Sequence, residues 1–140
     1  MAMTMHCNVV SAEEKLFDGR IELLVASGVM GEIGVLPGHA PLLTELKPGS
    51  IKITKQGGAQ ELIYVSSGFL EVQSSTVTVL ADAAERATDL DEAAAQAALD
   101  AAEEAFHNVR YDGDFEEAAA YLAQATAKIR IIQQLKNLSR

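Results

Sequence analysis

Few residues of this chain have the chemistry of a reacting centre, and their spacing decides what they can do. The three histidines, His6, His39 and His107, stand far apart, with neither the HxH nor the HxxxH spacing that brings two imidazoles onto one metal. The one cysteine, Cys7, lies in an apolar run, so it has no partner for a disulfide and no metal-ligand pattern around it. Ser66-Ser67-Gly68 lacks the Gly-x-Ser-x-Gly elbow that exposes a nucleophile, and no glycine-rich loop opens a helix as a phosphate cradle requires. Metal, acyl-transfer and nucleotide chemistry therefore find no constellation here. The sequence reads as a binding protein, not an enzyme, and no cofactor is expected.

The groups that remain suit binding. Lys128, Arg130, Lys136 and Arg140 are the only charges after Glu117, whereas the stretch before them carries Asp89, Asp91, Glu92, Asp100, Glu103 and Glu104. Such a split complements two helix dipoles, and it also equips a basic C-terminal segment to meet an acidic partner. The net charge of -9 argues against a nucleic-acid partner, which needs a basic face. No stretch reaches the roughly 18 apolar residues of a membrane span, and the first residues form neither a basic leader nor a secretory apolar run. A soluble chain in a reducing compartment is expected, meeting a membrane only through partners and without inserting directly.

Two kinds of element must position these groups. From Met5 to about Ala84 short segments rich in Val, Ile, Leu and Thr are separated by Gly, Ser and Asp. That pattern predicts roughly eight or more short strands in an antiparallel β-sandwich or flattened barrel. Phe17-Asp18-Gly19 reads as a turn, and in the strand after it Ile21, Leu23 and Val25 share one face while Glu22, Leu24 and Ala26 share the other. The run from Gly31 to Gly49 holds all three prolines and four of the ten glycines, which predicts a stiff series of tight turns.

Composition changes at Ala81, after which alanine dominates, proline is absent and glycine occurs once, at Gly113. Asp89, followed three residues on by Glu92, reads as the cap of a first helix that ends near Phe106. His107 to Gly113 reads as an irregular connection, and Asp114-Phe115-Glu116-Glu117 repeats the start signal. The second helix carries Phe115, Ala118, Leu122, Ala125, Ile129 and Ile132 as one apolar seam, with Ala94, Ala97 and Ala101 of the first helix expected against it. The expected architecture is a sandwich domain over residues 1–87 and an antiparallel two-helix hairpin over 88–140. Alanine packed on alanine buries little area, so the hairpin should be weakly held and able to open.

The order Gly31-Glu32-x-Gly34-x-x-Pro37-x-His39-Ala40-Pro41-Leu42-x-Thr44-x-Leu46-x-Pro48-Gly49 is long and ungapped, and it resembles the signature of the ε subunit of bacterial F-type ATP synthase. Val9-Val10-Ser11-Ala12, Gly68 to Val72, Val77 to Asp82 and Leu90-Asp91-Glu92-Ala93 extend the resemblance over the chain. It implies a β-sandwich followed by a helical hairpin, acting as a non-catalytic rotor subunit that couples the gamma subunit to the c-ring during proton-driven ATP synthesis. It also implies a C-terminal helix that extends into the alpha and beta subunits of the catalytic head and inhibits hydrolysis. Carried over residue by residue, Glu32 faces the c-ring. Ser11, His39 and Thr44 face gamma, and the inhibitory contacts fall on Lys128, Arg130, Ile131, Gln134 and Lys136. Some members bind ATP through Leu/Ile-Asp-x-x-Arg-Ala. Here Asp91 is present but the arginine position is Ala94, which argues against nucleotide binding. The implied location is the cytoplasmic side of a bacterial inner membrane, peripheral through the complex. A generic β-sandwich adaptor whose hairpin captures another helix is the alternative.

Overall fold

A computed structural model describes residues 3–110 and 112–138. Eight strands come first: β1 (Met5–Ser11), β2 (Lys15–Gly28), β3 (Gly31–Val35), β4 (Leu42–Lys55), β5 (Gln60–Val65), β6 (Gly68–Val72), β7 (Thr76–Ala81) and β8 (Ala84–Arg86). A 3-10 turn at Ala87–Asp89 leads into α1 (Glu92–His107) and α2 (Asp112–Leu138). The strands join in the order β3-β2-β1-β7-β6-β4-β5-β8, and an added β2–β4 pairing folds the sheet onto itself as a sandwich. Neighbours are antiparallel except β1 and β7, which run parallel.

The two long strands make the fold. Leu42 to Leu46 of β4 pairs with β6, and Gly49 to Thr54 pairs with β5, so Lys47 and Pro48 sit where the strand passes from one layer to the other. Proline lacks a ladder donor and suits that bend. Gly49 is required beside it, because a Cβ there would lie 2.6 Å from the Ser27 hydroxyl. Most of the stretch read as successive turns is therefore strand, with only residues 36–41 left as loop. Phe17-Asp18-Gly19 likewise lies inside β2. Its register shifts between Ile21 and Leu23, and this bulge reverses the alternation. Ile21, read on the face of Leu23 and Val25, is consequently buried together with Leu24 and Ala26.

Val9, Ile21, Leu24, Ile53, Ile63 and Leu70 are fully buried in the core between the layers, each worth about 1.5–3 kcal/mol of burial. A second, smaller cluster joins Leu62, Tyr64 and Ala87 to Ala127 and Ile131 of α2, with Leu90 and Leu135 at its edge. Through it α2 rests on β4, β5 and the 3-10 turn. Arg86 holds the chain's exit from the sandwich by donating from Nη2 to the Leu16 carbonyl at 2.8 Å.

The helix limits differ from the expected ones. Leu90 is extended as it packs on the small cluster, so the cap of α1 is Asp91 and not Asp89. Its carboxylate accepts from the Ala93 and Ala94 amides at 3.0 and 3.3 Å. Ala95 and Ala102 are the buried alanines of α1, while Ala94, Ala97 and Ala101 are exposed. Where nearly every position is alanine, hydrophobicity selects no face, and the half-buried Leu99 and Phe106 set the phase instead. The second helix begins at Asp112, so Asp114 falls within its first turn, where the dipole favours an acid. Phe115 is 49% exposed at the end of the expected seam. The helix buries two stripes, one including Ala125 and Ile132 and one, Ala127 and Ile131, on the sandwich. Tyr111 of the connection, and Arg140 among the basic residues, lie outside the described residues.

Candidate functional site

The β2–β3 hairpin is built by glycines. Gly31 has φ 129°, and a Cβ on Gly28 would lie 2.9 Å from the Gly31 carbonyl oxygen. The tight turn presents Val29 and Met30 to solvent, Met30 at 92% exposure. Glu32 is not in the turn itself. It lies in the edge strand β3, opposite Ser27 and exposed. An apolar tip with one acid beside it can seat on a partner and pair with a basic group there.

His39 belongs to the loop of residues 36–41. Its backbone N–H donates to the Leu36 carbonyl at 3.0 Å, and its Nδ1 lies 2.7 Å from the Ala40 carbonyl oxygen. A carbonyl only accepts, so Nδ1 carries the proton and Nε2 is left for another partner. The Ser11 hydroxyl accepts from the Glu13 and Glu14 amides at 3.3 and 3.2 Å, which closes the turn after β1. Thr44, half-buried, pairs with Leu70 in β4. Ser11 and Thr44 lie on strands β1 and β4, which β7 and β6 separate, roughly 14 Å across the layer. The three residues share one layer and its entry loop but form no cluster.

Between them lies a surface that residue-by-residue reading missed. Val10 is opposite Leu80, Leu80 opposite Phe69, and Leu43 diagonal to Phe69 across β4 and β6. Leu43, Phe69 and Leu80 are 67%, 52% and 59% exposed, an apolar outer face over an already filled core. The signal was present in the strands: Phe69-Leu70 and Val79-Leu80 are apolar at both parities, where a half-solvated sheet alternates.

On α2, Lys128 Nζ stands 5.1 Å from the centre of the Tyr64 ring. Ile131 is buried on the sandwich, Lys136 Nζ is 2.8 Å from Glu92 Oε1, and Arg130 and Gln134 are exposed. The Asp91 carboxylate is engaged as a cap, and the Ala94 side chain is exposed beside it. Burial, and secondarily Glu85, pushes the Tyr64 hydroxyl up to about 12, so it stays neutral.

The remaining reactive groups are structural. Burial, with Asp18 behind it, pushes the Cys7 thiol up to about 12. Ser66 exchanges hydrogen bonds with the backbone of Ala83, and Ser67 donates to the Asp82 carboxylate at 2.6 Å. A hydrogen bond from Lys15, aided by its charge and by His6, holds the Asp18 carboxyl below its ordinary range. Among the described residues no group of three or more His, Cys, Asp or Glu could hold a metal, and no helix is long and apolar enough to cross a membrane.

Two family models account for nearly the whole chain. Residues 4–87 match the family described as ATP synthase, Delta/Epsilon chain, beta-sandwich domain, and residues 88–133 match its long alpha-helix domain. The fold is similar to a chain in the cryo-EM structure of the Euglena gracilis mitochondrial ATP synthase OSCP/F1/c-ring in rotational state 1. That match has TM-score 0.80 and 19% identity over 89% of this chain and 78% of that one. It is also similar to a chain in the central stalk/c-ring structure of the Tetrahymena thermophila mitochondrial ATP synthase, with TM-score 0.66 and 12% identity over 94% and 98%. At these identities the structural likeness is one of fold.

Proposed function

Since this chain belongs to the ATP synthase delta/epsilon chain family, whose members are non-catalytic subunits of the central stalk, we propose that it couples gamma to the c-ring and restrains ATP hydrolysis through α2. Residues 1–87 serve as the rotor-binding domain and 88–140 as the regulatory one. The chain works in a bacterial enzyme at the cytoplasmic face of the inner membrane, a placement supported by the Gly31 to Gly49 signature. No nucleotide is assigned to it.

The observation that carries the coupling role is a sandwich with a filled core and two separate apolar surfaces left open. The outer face of Val10, Leu43, Phe69 and Leu80 suits gamma, and Ser11 in the turn after β1 and His39 in the loop before β4 would meet it from the ends of that layer, whereas Thr44, opposite the buried Leu70, would act through the strand that carries Leu43. At the other surface Glu32 suits a basic group in the polar loops of the c-ring, and the Val29-Met30 tip would seat on an apolar patch beside it. A subunit that must hold two partners at once needs two such surfaces.

The regulatory role is supported by α2. Its 27 residues span about 40 Å, and the apolar contact that keeps it on the sandwich is small. Lys128, Arg130, Ile131, Gln134 and Lys136 would then meet the alpha and beta subunits, with the cations on acidic loops.

The two surfaces are separable by mutation. Phe69→Ser with Leu80→Ser should lower affinity for gamma at least about tenfold in a binding titration, while the isolated chain melts as before. Met30→Asp should leave gamma binding intact and reduce proton pumping driven by ATP hydrolysis. If both variants assemble and pump normally, the coupling assignment fails.

A further inference from the structure

The contact that holds α2 on the sandwich has a thin apolar centre and two polar ends. Ile131 is the large side chain of α2 fully buried there, beside Ala127. About one turn to its N-terminal side Lys128 stands over the Tyr64 ring at 5.1 Å, and about one turn to the other side Lys136 pairs with Glu92 at 2.8 Å. The first contact ties α2 directly to β5. The second ties it to the first residue of α1, next to the Asp91 cap and the 3-10 turn, where the chain leaves the sandwich.

We propose that Tyr64 and Glu92 are positioning residues of a two-point latch which, by holding Lys128 and Lys136, sets the fraction of chains with α2 docked. The inference rests on the regulatory reading above, since Lys128, Ile131 and Lys136 cannot meet the catalytic head while the sandwich and α1 occupy them. Tyr64 offers the electron-rich face of its ring to an ammonium, and it is itself nearly buried, at 4% exposure, so the ring is fixed before the lysine arrives. Glu92 and Lys136 are both more than half exposed, which makes their pair weak and easily exchanged with solvent. Contacts of this strength do not lock a helix down. On a small apolar centre they shift a population between two positions.

The test uses the full-length chain in solution, reading amide exchange along α2 as the measure of docked and undocked positions. Tyr64→Leu and Glu92→Gln should each lower the docked-to-undocked ratio about two- to fivefold. Tyr64→Phe, which keeps the ring, should leave it unchanged, and the exchange Glu92→Lys with Lys136→Glu should restore it. Glu92 is a surface residue whose replacement does not touch the core, so the test survives if Tyr64→Leu fails to fold. Unchanged α2 amide exchange in Glu92→Gln and in a folded Tyr64→Leu chain overturns the latch, as does failure of the charge exchange to restore docking.

In the assembled enzyme, Tyr64 and Glu92 lie outside the stretch assigned to the head. Their variants should therefore deepen inhibition of ATP hydrolysis by about the same two- to fivefold. Faster α2 amide exchange without deeper inhibition keeps the latch and overturns the regulatory reading on which it was built.

Discussion

At the scale of single residues, burial and backbone geometry make the sharpest demands. The Cys7 thiol and the Tyr64 hydroxyl are both pushed up to about 12, from ordinary values of 9.0 and 10.0, by burial first. The folded chain therefore keeps protons that the unfolded chain releases from pH 9.0 upward. Stability from these groups is complete below that pH and is lost as pH rises through 12. Urea midpoints should fall between about pH 8 and pH 11, with a shallower fall in Cys7→Ala, and Cys7 should resist alkylation until the chain unfolds. A flat midpoint would show that neither group titrates differently in the two states. Gly68 carries a second demand. Its φ is 154°, and a Cβ there would lie 2.1 Å from the Leu80 carbonyl oxygen. Gly68→Ala should cost at least about 2 kcal/mol in denaturant unfolding. From sequence Ser66-Ser67-Gly68 reads as a turn, which it forms, but the crowding by β7 depends on pairing between strands that no local pattern reveals.

At the scale of elements, the sandwich and the hairpin should respond to mutation separately. Ile53→Ala empties a site in the main core and should lower the unfolding free energy of the sandwich by about 2–5 kcal/mol. Ile131→Ala removes the apolar centre of the α2 contact. It should release α2, read as faster amide exchange along the helix, while the sandwich melts unchanged. Loss of both transitions together in Ile131→Ala would mean that the hairpin is part of one cooperative unit. The elements themselves were largely legible, because period-two and alanine-rich stretches differ so strongly. Their internal phase was not. One bulge after Ile21 exchanges the faces of β2, and the alanines of α1 leave the choice of face to Leu99 and Phe106. Pro48 looked like a turn residue and is the bend that lets β4 serve both layers. Each of these depends on what packs against the segment, which a single sequence does not print.

At the scale of the whole molecule, the proposed division of labour has the sandwich transmit and the hairpin restrain. The site positions suggested by the Gly31 to Gly49 signature sit at one tip and around one layer of the sandwich, but the apolar face formed by Leu43, Phe69 and Leu80 emerges only once β4, β6 and β7 are side by side. The most direct measurement is ATP hydrolysis and coupled proton pumping by the enzyme assembled with the full chain, set beside one assembled with a chain stopped after Thr88. Faster hydrolysis with pumping retained is the predicted result, since the truncated chain keeps both apolar surfaces and loses α2. Unchanged hydrolysis would contradict the restraining role of the hairpin, and failure of the truncated chain to assemble would contradict the coupling role of the sandwich.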